Sequence, residues 1–437
     1  MHTDEPHGTA SPEADMEESR KATQAHQWPA TTSASGWRDS LALALGTTDM
    51  QVLWLATLTY HLGLGMQQVL LGWVVLALTN SEGMVGVVFA VRSAPNLVVG
   101  FVAGALTDRY DRRHLMRLAA FGMTGVVLAL AWLAYTEQLT IRLFLLCTAV
   151  LGVGQAFEMT ARQAYIVDTL GAHHAAQGIA LISLAQRSGG VLGSLLAGAI
   201  ITWWGVAVTF LVMGTGYSIG ACVLYALRQQ GMAAPTRRES MRQNLLTYLR
   251  ALRSNRDVRS LMLSTAAAEL FGFSHQVMLP ILAKEVFQVG AGGLGVLTAL
   301  RFLGGVLGVS GLTLLGGVRR HGRMLLVVLI LFGAGQILLA YAPAFWVAAI
   351  GVVLINIMAA ATDVLHQTLL QVSVANEQRG RAMGSWIIGT GIAPVGHLEV
   401  GYLAGLTSAH LALLMNGLAL IILTCSLAIG LPRLRRL

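Results

Sequence analysis

About twelve stretches of this chain stay apolar for roughly 20 residues at a time, and that one feature leaves few folds open. A hydrocarbon core of roughly 30 Å takes about 20 residues of helix to cross. The runs fall near 51–79, 84–105, 115–136, 140–165, 178–202, 205–227, 260–287, 293–317, 323–342, 345–371, 383–405 and 408–431. Glycine and proline inside them are compatible with helix, because neighbouring helices resupply freed backbone groups and small residues let helices approach. Membrane barrels need short alternating strands, and the runs do not alternate. Only 11% of the 437 residues are charged, against about a quarter in soluble domains. The sequence therefore predicts an all-α membrane protein of twelve transmembrane helices.

A net charge of +8 invites a nucleic-acid reading, and the placement of the charge removes it. Of the 29 Lys and Arg residues, 24 lie in the N-terminal tail, alternate loops and the C-terminal end. The opposite loops hold only Arg142 and Lys284, and Arg92, Arg187 and Arg301 lie inside apolar runs. Positive residues accumulate on the cytoplasmic side, so both termini are expected inside a bacterial cytoplasmic membrane. The first 49 residues are rich in Ser, Thr, Ala, Glu and His without an apolar h-region, and read as a disordered tail rather than a signal peptide. Cys147, Cys222 and Cys425 lie in apolar spans without ligand spacing, and read as buried core thiols.

The chain repeats itself. Val85–Arg92, VGVVFAVR, aligns with Leu294–Arg301, LGVLTALR, so that Gly86 matches Gly295 and Arg92 matches Arg301. Leu195–Gly198 and Tyr402–Gly405 align in the same way, each closing a glycine-rich fifth helix. Two six-helix halves follow, both entering the membrane from one side. The expected division is a tail (1–49), a first bundle (50–227), a cytoplasmic linker (228–258), a second bundle (259–432) and a basic end (433–437). Parallel repeats about an axis along the membrane normal are the plan of alternating-access transporters, with the substrate near the midplane between the halves.

Between the second and third runs stands GALTDRYDRRHLM, Gly104–Met116, with charge concentrated in a chain that otherwise avoids it. A loop carrying both signs anchors the cytoplasmic face and can form a breakable latch. It resembles the major facilitator superfamily signature Gly-x-Leu-Ala-Asp-Arg-x-Gly-Arg-Arg: Gly104, Leu106, Asp108, Arg109, Arg112 and Arg113 match, while Thr107 and Asp111 depart from it. The DRxDRR form is similar to the branch containing enterobactin and macrolide exporters. So are Ala161–Asp168, Met278–Leu297 and Asn376–Gly384. The resemblance implies a major facilitator fold, and a cytoplasmic gate joining Asp108 and the arginines to Arg162, Asp168 and Arg381. The antiporter signature Gly-Pro-x-x-Gly-Gly of helix 5 is not matched, since QRSGGVLGSLLAG has no proline.

Ionisable side chains inside a membrane are expensive and mark function by default. Glu158 and Arg162 stand i,i+4 with the acid first, the favourable order for a helical pair, either fixed or switching with a proton. Asp363 lies 205 residues after Glu158, near its repeat equivalent, with His366 one turn further on. Glu158, Asp363 and His366 are the candidate proton-coupling residues. Arg92 and Arg301 either embrace an anionic substrate from the two halves or neutralise carboxylates such as Glu269 and Glu399, paired charges being the commoner arrangement. His61, His275 and His397 are further titratable candidates. Trp54, Trp73, Trp203, Trp204 and Trp346 lie near span ends, where an interfacial belt accounts for them.

No phosphate loop, His-Glu-x-x-His pair or Gly-x-Ser-x-Gly elbow is present, so the chain is read as no enzyme, with no cofactor and no ATP drive. The expected function is a secondary transporter, working as a monomer in the lipid bilayer by alternating access. It would export amphipathic, siderophore-like or drug-like small molecules against protons. An importer or lipid flippase of the same fold is the alternative, and a non-transporting scaffold or sensor the reading from another class.

Overall fold

The computed structural model describes residues 46–107, 109–231, 256–314, 320–373, 386, 389–430 and 435. Asp108, Arg381, most of the expected linker and Asn376–Gly384 lie outside the described residues.

Among the described residues, twelve helices follow the twelve apolar runs. The first is α1 (Thr48–Thr79), opened by Thr47, whose hydroxyl accepts from the Met50 N–H at 3.4 Å. It closes on Asn80 in the left-handed region, φ 47°. This helix begins inside the stretch expected to be tail, and Asp49 is buried. Next come α2 (Glu82–Thr107) and α3 (Arg112–Tyr135). Asp111 caps α3 by accepting from the Arg113 N–H at 2.9 Å.

A continuous helical run, Ile141–Val223, then holds three spans. Its 83 residues would reach about 125 Å if straight, far beyond one crossing. It is broken at Gly171 (φ 72°, ψ 164°) and Gly205 (φ 82°, ψ −178°), conformations open in practice only to glycine. These breaks divide it into α4 (141–170), α5 (172–204) and α6 (206–223).

The second half opens with α7 (Val258–Val286), which is interrupted by π turns at Ala268–Gly272 and Leu282–Val286. Glu269 and Lys284 stand on those turns, and π turns of this kind gather at functional sites. Then follow α8 (Gly290–Leu314), α9 (His321–Ala340), α10 (Phe345–Val372), α11 (Ala393–Leu406) and α12 (Ala409–Gly430). Among the described residues nine stretches are long and apolar enough to cross a membrane, α5 and α6 counting as one. The outward faces carry large apolar side chains such as Leu118, Leu146, Ile350 and Ile422. In water that surface would be a liability; against lipid it is the expected exterior. Cys222 and Cys425 stand on it too, exposed rather than buried, so the core-thiol expectation fails for both. Their helix faces point to lipid, where a thiol serves as a small apolar group.

The halves meet through α2 against α11 and α5 against α8. These joints reuse the repeat: Gly86 lies against Gly401 and the His397 carbonyl, and Gly295 lies against Gly198 and the Ser194 carbonyl. A side chain at any of these glycines would strike backbone, so the joints close only because the positions are bare. All lie toward the end where α1 finishes, called the far end below. At the same end, Gly72 of α1 receives the Pro280 ring of α7.

The near end, where α1 begins, is built differently. Gly100 and Gly104 of α2 and Gly311 of α8 meet no described atom within 4 Å of where a Cβ would stand. In the first half, Met50, Leu53, Met116, Tyr165, Ile166 and Leu224 form an apolar cluster of their own there. It is separate from the large core that runs through both halves. Among the described residues, the close contacts between the halves lie at the far end.

Candidate functional site

The near end of the first half is held by a polar network at helix termini. Arg112, buried at the start of α3, forms an ion pair with Asp168 of α4 and donates to the Ala164 carbonyl at 3.3 Å. Arg113 is chelated by Asp111 at 2.7 Å, and its Nη1 donates to the carbonyls of Leu227 and Arg228 past the end of α6. Burial disfavours the charge on Asp111, but hydrogen bonds from the Arg113 side chain and N–H outweigh it and hold the carboxyl below its ordinary range. Asp49 accepts from the N–H groups of Arg228 and Gln229 at 3.0 and 2.7 Å, and from the Tyr165 hydroxyl at 3.1 Å. Neither Asp49 nor Tyr165 was singled out from the sequence.

Of the expected gate, Arg112 and Asp168 are brought together, while Arg109 is exposed and no described atom lies within 4 Å of where a Gly104 Cβ would stand. Arg162 turns instead to Glu158, 2.9 Å away, with both side chains buried. Its guanidinium also lies 5.9 Å from the Tyr60 ring centroid. Among the described residues, the second carboxylate oxygen, Glu158 Oε2, is buried without a partner, as is Thr57 Oγ1. Both residues line a small cavity inside the first half, together with Tyr60 and Tyr217.

At mid-height the intramembrane arginines do not find the carboxylates expected for them. Arg92 of α2 donates to Gln155 Oε1 of α4 at 2.8 Å. Arg301 of α8 lies over the Phe302 ring, 5.3 Å from its centroid. Glu399 accepts instead from Asn416 at 3.1 Å. Glu269 lies in electrostatic range of Asp363. Glu399 is bonded to Asn416 of α12 within the second half, although α11 is itself one of the helices that join the halves.

Arg187 of α5 completes this level. It packs against Gly305 of α8, where a side chain would collide with its guanidinium, and it lies in electrostatic range of Asp363 on α10. Arginine and acid therefore stand in electrostatic range of each other on helices of opposite halves. Arg187 was visible in sequence as an intramembrane charge, but nothing in its local spacing assigned it a partner. His366 bonds Ser264 of α7 at 2.8 Å, within the second half.

The remaining histidines are tied down. His61 contacts the Thr57 carbonyl at 3.0 Å, and His275 contacts the Gly272 carbonyl at 2.8 Å and Asn356 at 3.3 Å. His397 shares a hydrogen bond with Ser93 at 3.2 Å across the α2–α11 joint. At the far end the Lys284 ammonium of α7 donates to the Leu76 carbonyl at 2.9 Å and to Asn80 Oδ1 at 3.2 Å. A cation at the C-terminus of a helix is favoured by the helix dipole, so Lys284 latches the second half to the end of α1. Trp203, Trp204 and Trp346 are exposed near span ends, whereas Trp73 packs on the core. Among the described residues no group of His, Cys, Asp and Glu is placed to hold a metal ion.

Two pseudo-symmetric six-helix halves, joined at one end with ionisable groups at mid-height, define a membrane transporter of the major facilitator type. Residues 42–436 match the family described as transmembrane secretion effector, and the chain belongs to that family. It is 23% identical over 339 residues to the staphyloferrin A transporter of Staphylococcus aureus (strain NCTC 8325 / PS 47), covering 77% of this chain and 85% of that one. It is 25% identical over 410 residues to the enterobactin exporter EntS of Salmonella choleraesuis (strain SC-B67), covering 92% and 96%. A crystal structure of a POT family transporter with a thioalcohol-conjugated peptide shares the fold, with a TM-score of 0.73 at 12% identity over 88% of this chain and 96% of that one. The chain is thus a multi-pass membrane protein whose family moves small molecules.

Proposed function

We propose that this chain exports an amphipathic small molecule from the cytoplasm in exchange for protons, as a monomer working by alternating access. The near end carries the basic loops, so it is assigned to the cytoplasm together with both termini. The far end, closed by the glycine joints and the Lys284 latch, is then the outer side of the membrane. The names of the staphyloferrin and enterobactin relatives lean toward export of a siderophore-like cargo.

The observation that carries the reading is the opposition of Arg187 and Asp363 across the joint between the halves. A charged Asp363 attracts Arg187 from the other half, and a protonated one does not. Protonation state and relative position of the halves are thereby linked, as proton coupling requires. In this cycle Asp363 takes up a proton while the site faces outward, with Glu269 beside it able to share the charge. The proton leaves once the site faces the cytoplasm. Glu158 stays paired with Arg162 throughout, and His366 stays with Ser264. The Arg112–Asp168 pair and the Gly104–Arg113 loop hold the cytoplasmic ends of the first half as it moves.

Sealed inside-out vesicles with an acidic interior test the direction: an exporter loads them with substrate, and loading collapses with the pH gradient. Loading only of right-side-out vesicles would instead establish import. The missing helix-5 proline favours import or flipping as the second reading.

A further inference from the structure

Three guanidinium groups stand close to the middle of their helices, Arg92 on α2, Arg187 on α5 and Arg301 on α8. The first two belong to one half and the third to the other. All three are partly exposed at a depth where side chains normally face lipid or protein. Arg301 lies in electrostatic range of both Arg92 and Arg187. Among the described residues no carboxylate comes within 4 Å of any of them, and one acid, Asp363, is in electrostatic range of Arg187 alone. Arg92 Nε is buried with no partner among the described residues.

Such a set is costly. Intramembrane cations are ordinarily paired or solvated, and three facing one another repel. The surrounding chain nevertheless makes room for them. Gly305 is bare where the Arg187 guanidinium lies, and Gln155 holds Arg92 by one edge, leaving the rest of its fork open. Phe302 supplies an apolar face beneath Arg301. Arg187 has no repeat counterpart, since the position 207 residues on is Pro394. It is therefore an addition to the duplicated Arg92 and Arg301 rather than a by-product of the repeat.

We infer that these three arginines form an anion site for a cargo carrying several carboxylates on an apolar frame. Planar guanidinium forks match carboxylates bidentately, and sites spread over both halves let one cargo bridge them. The inference rests on the transport reading for its purpose, but the site is defined by binding alone. A cationic drug would be repelled from it. Closing the halves around the anion would neutralise the repulsion, so the cargo itself favours the movement that carries it.

The test uses the purified full-length chain in detergent, with citrate as a probe tricarboxylate, followed by calorimetric titration and thermal unfolding. Triethyl citrate is the uncharged control, sulfate at equal ionic strength the salt control, and dihexanoyl phosphatidylglycerol the lipid-headgroup control. Citrate is expected to bind saturably and raise the unfolding temperature, with none of the controls doing so. Arg92→Gln, Arg187→Gln and Arg301→Gln should each weaken citrate at least tenfold, while Arg142→Gln at the far-end start of α4 changes nothing. If a glutamine variant fails to fold, Gly305→Ala keeps all three arginines, displaces Arg187 from its seat and should weaken citrate at least threefold.

Equal binding of the triester, a stronger response to the phospholipid, or citrate affinity within twofold of the parent in all variants would overturn the site. Gradient-driven movement is measured separately in vesicles. Citrate bound but never moved supports the site and removes the transport reading. Movement of an uncharged probe without citrate binding removes the site and leaves transport standing.

Discussion

Each half carries an intramembrane acid, the two near repeat-equivalent positions, and the halves treat it in opposite ways. In the first half Glu158 has Arg162 one turn along, and the two meet at 2.9 Å. In the second half Asp363 has Gln367 at the corresponding place, 205 residues on, and no cation of its own helix to meet. Among the described residues, the cation in electrostatic range of it is Arg187, which belongs to the other half. Duplication has preserved the backbone joints, Gly86 with Gly401 and Gly295 with Gly198, while the charges have diverged. A charge neutralised inside one rigid half cannot report on the position of the other. A charge answered only across the joint can, and that is the division of labour proposed for Glu158 and Asp363.

The largest expected effect comes from removing the inter-half acid. Asp363→Asn should lower gradient-driven transport in vesicles about 100-fold or more, with the protein still folded by thermal unfolding. Residual coupling within a few-fold of the parent would place the proton elsewhere.

Breaking the intra-half pair should damage stability instead. Glu158→Gln strands Arg162, side chain 2% exposed, and removing one partner of a buried pair costs about 3–5 kcal/mol. The double variant Glu158→Gln/Arg162→Gln should recover most of that loss and retain gradient-driven transport. A stable single variant that has lost coupling would reverse the assignment of the two acids.

Converting the second half to the pattern of the first is a finer probe. Gln367→Arg offers Asp363 a partner at i,i+4, and should reduce the dependence of transport on the pH gradient about tenfold, read as the ratio of rates with and without it. The smallest effect is expected at His366, whose partner Ser264 lies in its own half. His366→Asn should leave the coupling ratio within twofold and cost about 1 kcal/mol for the lost hydrogen bond.

Features that depend on local spacing were legible in the sequence: the apolar runs, the duplicated glycines, and the i,i+4 order of Glu158 and Arg162. Helix length, close packing at bare positions and same-face pairing are set within a few residues, so the chain displays them directly. Contacts between helices are not displayed in this way. Arg92 chooses Gln155, 63 residues away, and Glu399 turns to Asn416, because the rotation of α2 and α11 decides which face each side chain occupies. The same rotation leaves Cys222 and Cys425 exposed. Asp49, placed in a tail by composition, is buried because the returning end of α6 brings two N–H groups to it.

The central claim is that the proton on Asp363 decides how the halves sit relative to each other. Spin labels at Glu137 and Pro343, on far-end loops of opposite halves in a background with Cys147, Cys222 and Cys425 replaced, measure that separation directly. The distance distribution of the parent chain should shift between pH 8 and pH 5.5, while that of Asp363→Asn should stay the same at both. Identical distributions in the parent at both pH values, or an undiminished shift in Asp363→Asn, would contradict it.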